Sequence, residues 1–307
     1  MKIGIIGTGL VGSTTAYSLA SAGLAREIIL VDIDRNRAEA EALDISHSIP
    51  YTSPCKIKAG HYADLEGSDI IVITAGVHQI PGESRLNLLE KNIEIFKQLI
   101  KNIITYAADS LIVIATNPVD LLTSYTIKES GLPTGRIIGS GTILDTARFR
   151  AILGGYLKLA PQSIHAYVLG EHGDSEVLIW SAALAGNMPL ETYAAEAGIS
   201  LNAEIKNHID SEVRNAAYKI IAGKKATYYG IAAGIVRICK AISYDENAIL
   251  SVSVYHSEVE SVKDISISMP TVINRNGVSR VLYPELSASE HSLLHQSAQK
   301  IFDYIHR

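Results

Sequence analysis

Cysteine is scarce in this sequence. The 307 residues include two, Cys55 and Cys239. They lie far apart and in no metal-ligand spacing, which argues against a disulfide framework and against a structural zinc site. We interpret both as reduced thiols with a structural role, and this predicts a cytoplasmic protein.

Long apolar runs are missing as well. No stretch approaches the roughly 20 apolar residues needed to cross a bilayer, so no membrane-spanning helix is predicted. The apolar stretch Met1–Gly7 is short and glycines follow it at once, so we expect no signal peptide.

Charge of one sign is not concentrated anywhere in the chain. The formal net charge is -5, from 27 basic and 32 acidic residues that are interspersed. Because no basic tract appears, nucleic acids and anionic membranes are poor candidate partners. His291 and His295 have helical i, i+4 spacing but no carboxylate or cysteine at a metal-site spacing, so we predict a solvated helix face and no metal site.

Apolar residues are abundant, at 47% against 19% charged residues. This composition suits a large buried core, and a chain of 307 residues suits two domains. In the first half, apolar runs of strand length alternate with helical patterns, which predicts a parallel sheet covered by helices on both faces. The predicted strands are Lys2–Ile6, Glu27–Asp32, Asp69–Thr74, Leu111–Ala115 and Arg136–Gly139. The predicted helices are Leu10–Ala22, Arg35–Ile45, Leu86–Ala107 and Val119–Ser130.

The second half has a different pattern. A long amphipathic helix is predicted at Ser287–Ile305, after a group of strands. The predicted strands are Ile249–His256, Ser261–Met269, Thr271–Asn274 and Val278–Tyr283. Asn276 and Gly277 both tolerate positive φ, which predicts a hairpin turn. We place the domain boundary near residue 140.

A glycine pattern lies between the first strand and the first helix. Gly7-Thr8-Gly9-Leu10-Val11-Gly12 matches G-x-G-x-x-G, and the second strand ends at Asp32, twenty positions after Gly12. The pattern alone is weak, but here it has the strand, turn, helix and second strand that dinucleotide binding requires. Gly7 would allow the tight turn, Gly9 the approach of a pyrophosphate, and Gly12 close helix–strand packing. The alternative is an ordinary glycine turn with a surface aspartate.

Asp32 distinguishes between the two nicotinamide cofactors. Its carboxylate would accept hydrogen bonds from the adenosine ribose and repel a 2′-phosphate, so we predict NAD rather than NADP. Ligands in open sheets sit beyond the carboxyl ends of the strands, so the segments after the third, fourth and fifth predicted strands should line the same crevice. The predicted cofactor-binding residues are Gly7, Gly9, Val11, Gly12, Asp32, Arg37, Gly76, Val77, Thr116, Asn117 and Ser140. The fold class is therefore α/β, with an N-terminal Rossmann doubly wound parallel sheet (residues 1–140) followed by an α+β substrate domain (residues 141–307).

A polar turn in the second half carries His172, within Ile164–Ser175. Upstream, Asp145 and Arg148 lie three residues apart on a predicted helix, so they face the same side of it. Oxidation of a secondary alcohol needs a base with a pKa near the working pH, which suits histidine. A carboxylate would fix the histidine tautomer, and an arginine would bind a substrate carboxylate through two parallel hydrogen bonds. The alternatives are a hydrogen-bonded loop histidine, an aspartate at a helix N-terminus and a surface ion pair.

With these residues identified, the sequence resembles the lactate/malate dehydrogenase family over essentially its whole length. The matching stretches, in the family's order, are Gly7–Gly12, Thr74–Gly76, Pro81–Leu86, Asn117–Asp120, Asp145–Arg148 and Gly170–Asp174. The resemblance implies that His172 accepts and donates the proton, that Asp145 is its partner, and that Arg148 binds the substrate carboxylate.

The resemblance also implies a lid over the site. Residues Val77–Arg85 would form this lid, and Arg85 would polarise the substrate carbonyl from it. Asn117 would help to hold the substrate or the nicotinamide. Closure of the lid would expel water and strengthen the charged contacts.

Within the family, the position of Gln79 separates substrates. Malate enzymes typically carry arginine there, because oxaloacetate brings a second carboxylate that neutral glutamine would leave without a charged partner. Thr227 also resembles the lactate type, and Ile231 could pack against the nicotinamide. The resemblance thus implies NAD-dependent interconversion of L-lactate and pyruvate. Three alternatives stay open: a malate dehydrogenase, a broader 2-hydroxy acid dehydrogenase and, in another class, a non-catalytic NAD(H)-binding protein.

Arg150 and His165 match positions that bind fructose 1,6-bisphosphate in many bacterial members of the lactate type. The resemblance implies an allosteric effector site of this kind, with cations from two facing subunits, and a homotetramer. The alternative is that Arg150 pairs with a carboxylate and that His165 is a hydrogen-bonded sheet histidine.

Overall fold

The structure, a computed structural model, describes residues 1–77 and 85–306, without the side chains of residues 85 and 86. The helices are α1 (Leu10–Ser21), α2 (Arg35–Ser48), α3 (Arg85–Ala107), α4 (Val119–Ser130), α5 (Ile143–Leu157), α6 (Leu190–Glu196), α7 (Ala203–Lys224), α8 (Tyr229–Ser243) and α9 (Ala288–Ile305). The strands are β1 (Lys2–Ile6), β2 (Glu27–Val31), β3 (Lys56–Ala59), β4 (Ile70–Ile73), β5 (Leu111–Ile114), β6 (Ile137–Gly139), β7 (Ile164–His165), β8 (Val168–Leu169), β9 (Val177–Leu178), β10 (Leu184–Ala185), β11 (Met188–Pro189), β12 (Ala248–Val259), β13 (Val262–Asn274) and β14 (Gly277–Val281). Among the residues so described, no helix has the length and apolar character needed to cross a membrane.

Parallel strands form the N-terminal part of the main sheet, in the order β3-β2-β1-β4-β5-β6. Every residue of β4 and β5 is buried, as expected of strands covered by helices on both faces. The predicted doubly wound parallel sheet is therefore confirmed. The prediction omitted β3, because this edge strand has lysines at Lys56 and Lys58 and no buried residue.

The two faces of this sheet bury separate cores, because side chains alternate along each strand. Ile71 and Ile73 of β4 join a core with residues of α3, α4 and α9. Ile70 and Val72 of the same strand join a core with residues of α1, α2 and α8. Helices from both halves of the chain thus cover the sheet.

Antiparallel strands of the second half extend the same sheet. Ser253 of β12 pairs with Gly139 of β6, and β13 and β14 follow outward. The main sheet accordingly has nine strands within the described part of the chain. The predicted boundary near residue 140 falls between β6 and α5, where this sheet is continuous.

Two details of the second half differ from the prediction. The sequence predicts separate strands on either side of Pro270, whereas β13 runs through it. The fixed φ of proline suits extended backbone, and the Pro270 carbonyl accepts the Leu282 N–H at 2.8 Å, so strand pairing continues. The hairpin to β14 is present, but it turns at Arg275 and Asn276, and Gly277, at φ 92°, begins the return strand.

A third core holds α5 against the second half. Phe149 and Leu153 of α5 pack with Val213 of α7 and with residues of β7 and β8. The Thr146 hydroxyl accepts the Val168 N–H at 3.0 Å. Because α5 follows β6 directly, its first turn lies at the carboxyl end of the parallel strands, where a ligand crevice is expected.

Candidate active site

The glycine turn after β1 leaves room for a ligand at the N-terminus of α1. Gly7 has φ 96°, and a Cβ there would lie 2.5 Å from the Ala75 nitrogen. A Cβ on Gly12 would lie 1.9 Å from the Gly7 carbonyl oxygen, so close packing of α1 on the turn requires glycine. A Cβ on Gly9, by contrast, would meet no atom of the described residues within 4 Å. Gly9 therefore borders open space beside the free N–H groups of the first turn of α1, which suits an anion.

Asp32 lies at the carboxyl end of β2, next to this turn. Its carboxylate accepts the Thr8 backbone N–H at 2.5 Å, the Thr8 hydroxyl at 2.9 Å and the Asp34 N–H at 3.0 Å. Burial raises the pKa of Asp32, but these hydrogen bonds outweigh burial and bring the pKa below its ordinary value. A cavity beside Asp32 is lined in part by Gly60 and Tyr62. Thr8 is missing from the predicted set because a variable position of the glycine pattern carries no spacing signal.

Four further predicted cofactor-binding residues lie at this edge of the sheet or beside it. Val11 is half-buried in the first turn of α1, and Arg37 is exposed in the first turn of α2. Gly76 follows β4. Ser140 is buried directly after β6 and donates its N–H to the Ile114 carbonyl at 2.7 Å. Their contribution to cofactor binding stays a prediction.

A buried asparagine joins the loops that follow β4 and β5. Asn92 on α3, fully buried, accepts the Val77 N–H at 2.9 Å and donates to the Asn117 carbonyl at 2.8 Å. The Thr116 hydroxyl donates to the Ala75 carbonyl at 2.8 Å. Both loops therefore lie side by side at the carboxyl edge of the sheet. The sequence does not predict the role of Asn92, because a polar residue within a helical pattern gives no sign of burial.

The predicted catalytic side chains meet at the N-terminal end of α5. His172 Nδ1 lies 2.6 Å from Asp145 Oδ2, and Arg148 Nη1 donates to Asp145 Oδ1 at 2.9 Å. The Asp145 side chain is 3% exposed and the His172 side chain 25%. His172 Nε2 has no hydrogen-bond partner among the described residues. One carboxylate therefore orients both the imidazole and the guanidinium and leaves Nε2 available to a substrate.

This ion pair shifts the pKa of both partners. Burial lowers the pKa of His172, but the charge and hydrogen bond of Asp145 outweigh burial and raise the pKa to about 9. Burial raises the pKa of Asp145, yet His172 and Arg148 bring it below its ordinary value. At neutral pH the pair is thus an imidazolium facing a carboxylate, and it can donate a proton to a carbonyl oxygen.

A second buried carboxylate holds the backbone of the same histidine. Asp120, in the first turn of α4 and 2% exposed, accepts the His172 backbone N–H through Oδ2 at 2.8 Å. Its Oδ1 is buried without a hydrogen-bond partner in the described part of the chain. Burial raises the pKa of Asp120 to about 6. Asp120 ends one of the stretches that resemble the family, but its position in sequence does not reveal which backbone it holds.

A third carboxylate, from Glu176, lies against the same histidine. Glu176 is 5% exposed, and one potential ligand atom each from Asp145, His172 and Glu176 lies within 4.8 Å of the others. Arg214 on α7 donates to the Glu176 carbonyl at 2.7 Å. Neither Glu176 nor Arg214 is in the predicted set: Arg214 approaches from the distant helix α7, and Glu176, four residues after His172, gives no sign of burial in the sequence. The three clustered residues are of types that bind divalent cations, so the absence of a metal stays a prediction.

Two predicted substrate residues are not described by the structure. Gln79 lies outside the described residues. Arg85 is the first residue of α3 rather than the last of the loop before it, and its side chain is outside the described set. The lid over Val77–Arg85 and the role of Arg85 therefore stay predictions.

Thr227 is half-buried between α7 and α8. The residue that caps α8 is Tyr228, with no side-chain hydrogen bond, so Thr227 does not cap this helix. A Cβ on Gly230, three residues on, would lie 2.8 Å from Leu144 Cδ1. The first turn of α8, three residues after Thr227, therefore lies beside the first turn of α5.

Arg150 and His165 lie near each other, away from the imidazole. Arg150 donates through Nε to the Ala166 carbonyl at 2.8 Å, and its guanidinium lies 4.7 Å from the centre of the Tyr167 ring. Among the described residues it has no carboxylate partner, contrary to the simpler alternative. His165 is exposed in β7. Arg150 thus contacts the residue next to His165, and the effector role of both side chains stays a prediction.

Two family models match the chain. The model described as lactate/malate dehydrogenase, NAD binding domain, matches residues 1–139. The model described as lactate/malate dehydrogenase, alpha/beta C-terminal domain, matches residues 142–307. The two matches meet where β6 ends and α5 begins.

Similar proteins match over nearly the full length. The L-lactate dehydrogenase of Thermus aquaticus is 49% identical over 299 residues, which cover 97% of this chain and 96% of that protein. The L-lactate dehydrogenase of Priestia megaterium is 48% identical, over 97% of this chain and 93% of that protein. A solved lactate dehydrogenase from a Medee basin deep-sea metagenome library has a TM-score of 0.95 at 41% identity, covering 99% of this chain and 98% of that chain. The minor L-lactate dehydrogenase from Enterococcus mundtii has a TM-score of 0.95 at 38% identity, covering 99% and 97% respectively.

Proposed function

Because the chain belongs to the lactate/malate dehydrogenase family, with an NAD-binding domain at residues 1–139, we propose that it interconverts L-lactate and pyruvate with NAD as its cofactor. The observation that carries this proposal is the pair of His172 and Asp145, with Nε2 of the imidazole available and Arg148 bound to the same carboxylate. The relatives named L-lactate dehydrogenase favour lactate over malate.

The cofactor cradle supports NAD in particular. Open space at Gly9 fits a pyrophosphate against the N-terminus of α1. Asp32, held ionised by Thr8, suits the ribose hydroxyls and repels a 2′-phosphate. When bound, NAD accepts the hydride of lactate and NADH donates it to pyruvate.

His172 moves the proton that accompanies this hydride. During reduction, the imidazolium donates from Nε2 to the carbonyl oxygen of pyruvate, and during oxidation the neutral imidazole accepts the hydroxyl proton of lactate. Asp145 holds Nδ1, which fixes the ring and stabilises its charged form. Arg148 binds the substrate carboxylate through N–H groups that Asp145 does not use. Arg85 polarises the carbonyl from the lid.

Gln79 and Thr227 set the substrate in this proposal. A neutral Gln79 offers no charge to the second carboxylate of oxaloacetate, whose burial without a partner costs several kcal/mol, on the order of 3–5. Thr227, at the far end of the pocket, favours a methyl group. A longer 2-keto acid is discriminated less strongly, since one methylene changes selectivity by about 10–200-fold.

Initial rates of NADH oxidation with pyruvate, oxaloacetate and a longer 2-keto acid test the proposal. We expect pyruvate to have the highest kcat/KM. A preference for oxaloacetate would identify a malate dehydrogenase, and similar values for all three would identify a broad 2-hydroxy acid dehydrogenase. Binding of NADH without turnover of any of them would support a non-catalytic NAD(H)-binding protein.

Activation by fructose 1,6-bisphosphate is a second candidate function. It is supported by Arg150, which contacts the residue after the exposed His165 through Nε and whose terminal nitrogens have no hydrogen-bond partner among the described residues. We expect the bisphosphate to lower the KM for pyruvate, and a variant with both Arg150→Gln and His165→Gln to lose this response. An unchanged KM in the wild type at several pH values would exclude such activation.

A homotetramer and a cytoplasmic location complete the proposal. Family likeness supports the tetramer, since cations from two facing subunits would share each effector, and two free cysteines support a reducing compartment. Sedimentation velocity with and without the bisphosphate measures the assembly. A monomer under both conditions would remove the effector model as well, because that model needs two subunits.

A further inference from the structure

Glu176 is a buried carboxylate that the proposed mechanism does not use. It directly precedes β9 and is 5% exposed. Its Oε1 has no hydrogen-bond partner among the described residues. A carboxylate oxygen of Glu176 nevertheless lies within 4.8 Å of a carboxylate oxygen of Asp145 and of a ring nitrogen of His172. A buried carboxylate oxygen without a donor is costly when charged, so this position needs an explanation.

The backbone holds this carboxylate in place. The Glu176 N–H donates to the Gly173 carbonyl at 3.0 Å, and the next residue begins the pairing of β9 with β8. Arg214 donates to the carbonyls of Glu176 at 2.7 Å and Asp174 at 3.1 Å, and is itself bound by Asp210. The backbone at Glu176 is therefore held by one helix, α7, by the preceding loop and by the strand pair that begins at the next residue.

We propose that Glu176 is a positioning residue for His172, whose ionised carboxylate keeps the proton on the imidazole and so extends pyruvate reduction to alkaline pH. This inference rests on the proposed function. The carboxylate acts through His172 and not on the substrate, so it changes the pH range of the reaction and not its chemistry.

The charged groups around Glu176 support this role. Asp145 and Arg148 face it from α5, Arg214 from α7, and His172 from its own loop. Burial, followed by the charge of Asp145, raises the pKa of Glu176 to about 8, so its carboxyl group carries a proton at neutral pH. Once the carboxylate forms, it lies beside the His172 imidazole and favours the charged form of that ring.

The new charge then adds to those already around the imidazolium. The charges that raise the pKa of His172 come from Asp145, Glu176 and, from α4, Asp120. The negative charge of Glu176, once formed, therefore favours retention of the proton on the imidazole.

The test is the pH profile of kcat/KM for pyruvate in the wild type and in Glu176→Gln, a neutral isostere. The ratio of kcat/KM in the wild type to kcat/KM in the variant should rise by about tenfold between about pH 6.5 and pH 9.5. A shift of one unit in the pKa of His172 changes its protonated fraction about tenfold at pH values above both pKa values. Glu176→Asp, which keeps the carboxylate, should retain most of the wild-type alkaline limb. Glu212→Gln, which removes a surface carboxylate paired with Lys219, is the matched control and should follow the wild-type profile. A ratio that stays constant with pH would show a merely structural role and overturn the inference.

A second measurement does not depend on turnover. Diethyl pyrocarbonate acylates neutral imidazole, so its rate at His172, followed by peptide mass spectrometry against pH, reports the protonation of that residue directly. We expect the midpoint at His172 to be lower in Glu176→Gln than in the wild type, with exposed His208 as the internal reference. Identical midpoints would overturn the inference. If the wild type does not reduce pyruvate, the proposed function fails, and this modification profile still decides the role of Glu176.

Discussion

Asp120 and His172 are joined through the backbone: the carboxylate on α4 accepts the N–H of the histidine, 52 positions away, at 2.8 Å. Asp120 lies in the first turn of α4, which follows β5 and the loop of Asn117. The loop that carries the proposed proton donor is therefore tied to the edge of the sheet where the cofactor is expected. This contact sets where the imidazole lies relative to the cofactor crevice.

Replacement of Asp120 tests this tie. Asp120→Ala leaves the His172 N–H without its acceptor, which costs about 1–3 kcal/mol of unfolding free energy and lowers kcat. Urea denaturation and steady-state kinetics measure the two effects. The control is Asp109→Ala, which removes a fully exposed aspartate just before β5. Equal stability and kcat in both variants would contradict the tie.

Asp145→Asn should remove the charge that raises the pKa of His172. We expect kcat/KM for pyruvate to fall by about 10²-fold to 10⁴-fold, the range supplied by general acid–base catalysis. Asp145 raises the pKa of His172 to about 9, so the wild-type alkaline limb should lie near that pH, and the limb of the variant should move to lower pH. Asp303→Asn, on the surface of α9, serves as control. An alkaline limb at the same pH in both proteins would show that Asp145 does not raise the pKa of His172.

Asn92→Asp probes the connection between the loops after β4 and β5. The new carboxylate still accepts the Val77 N–H but faces the Asn117 carbonyl where an N–H donor was. We expect a loss of about 1–3 kcal/mol in unfolding free energy and weaker NADH binding, measured by denaturation and calorimetry. The control is Asn102→Asp on the same helix, whose amide binds only the Gln98 carbonyl. If NADH binds both variants equally well, Asn92 does not shape the cofactor crevice.

Gln79→Arg should shift the substrate preference towards oxaloacetate. The added guanidinium offers the second carboxylate a charged partner, so the ratio of kcat/KM for oxaloacetate to that for pyruvate should rise at least about tenfold, equivalent to about 1.4 kcal/mol. Gln98→Arg, an exposed position on α3, controls for the added charge. A ratio unchanged from the wild type would remove Gln79 from the account of specificity.

The parts of this protein that follow from neighbouring residues were predictable. The glycine pattern predicted a turn whose geometry depends on Gly7 and Gly12. This turn was predictable because all six residues of the pattern are adjacent in the chain. The spacing of Asp145 and Arg148 predicted that they share a helix face, and they are hydrogen-bonded at 2.9 Å. The apolar run Ile70–Ile73 predicted a strand buried on both faces. The edge strand β3 was missed, because its lysines obscure the apolar pattern.

The residues that arrange the site from a distance were not predictable from pattern. Asn92, Asp120 and Glu176 are polar residues that single-sequence reasoning places at the surface, yet each is buried against a segment remote in the chain. Their roles arise where separate elements meet. Asn92 of α3 binds the loop after β5, Asp120 of α4 binds the backbone of His172, and Arg214 of α7 binds the backbone of Glu176.

Spacing along the chain thus predicted the βαβ architecture and the glycine turn, since a few adjacent side chains and backbone torsions encode each of them, and it pointed to His172 as the candidate for proton transfer. The protonation of that group was decided by folding alone. The charge and burial felt by an imidazole depend on which carboxylates lie within a few ångströms of it in three dimensions, and residues 120, 145 and 176 come together only when the helices pack on the sheet.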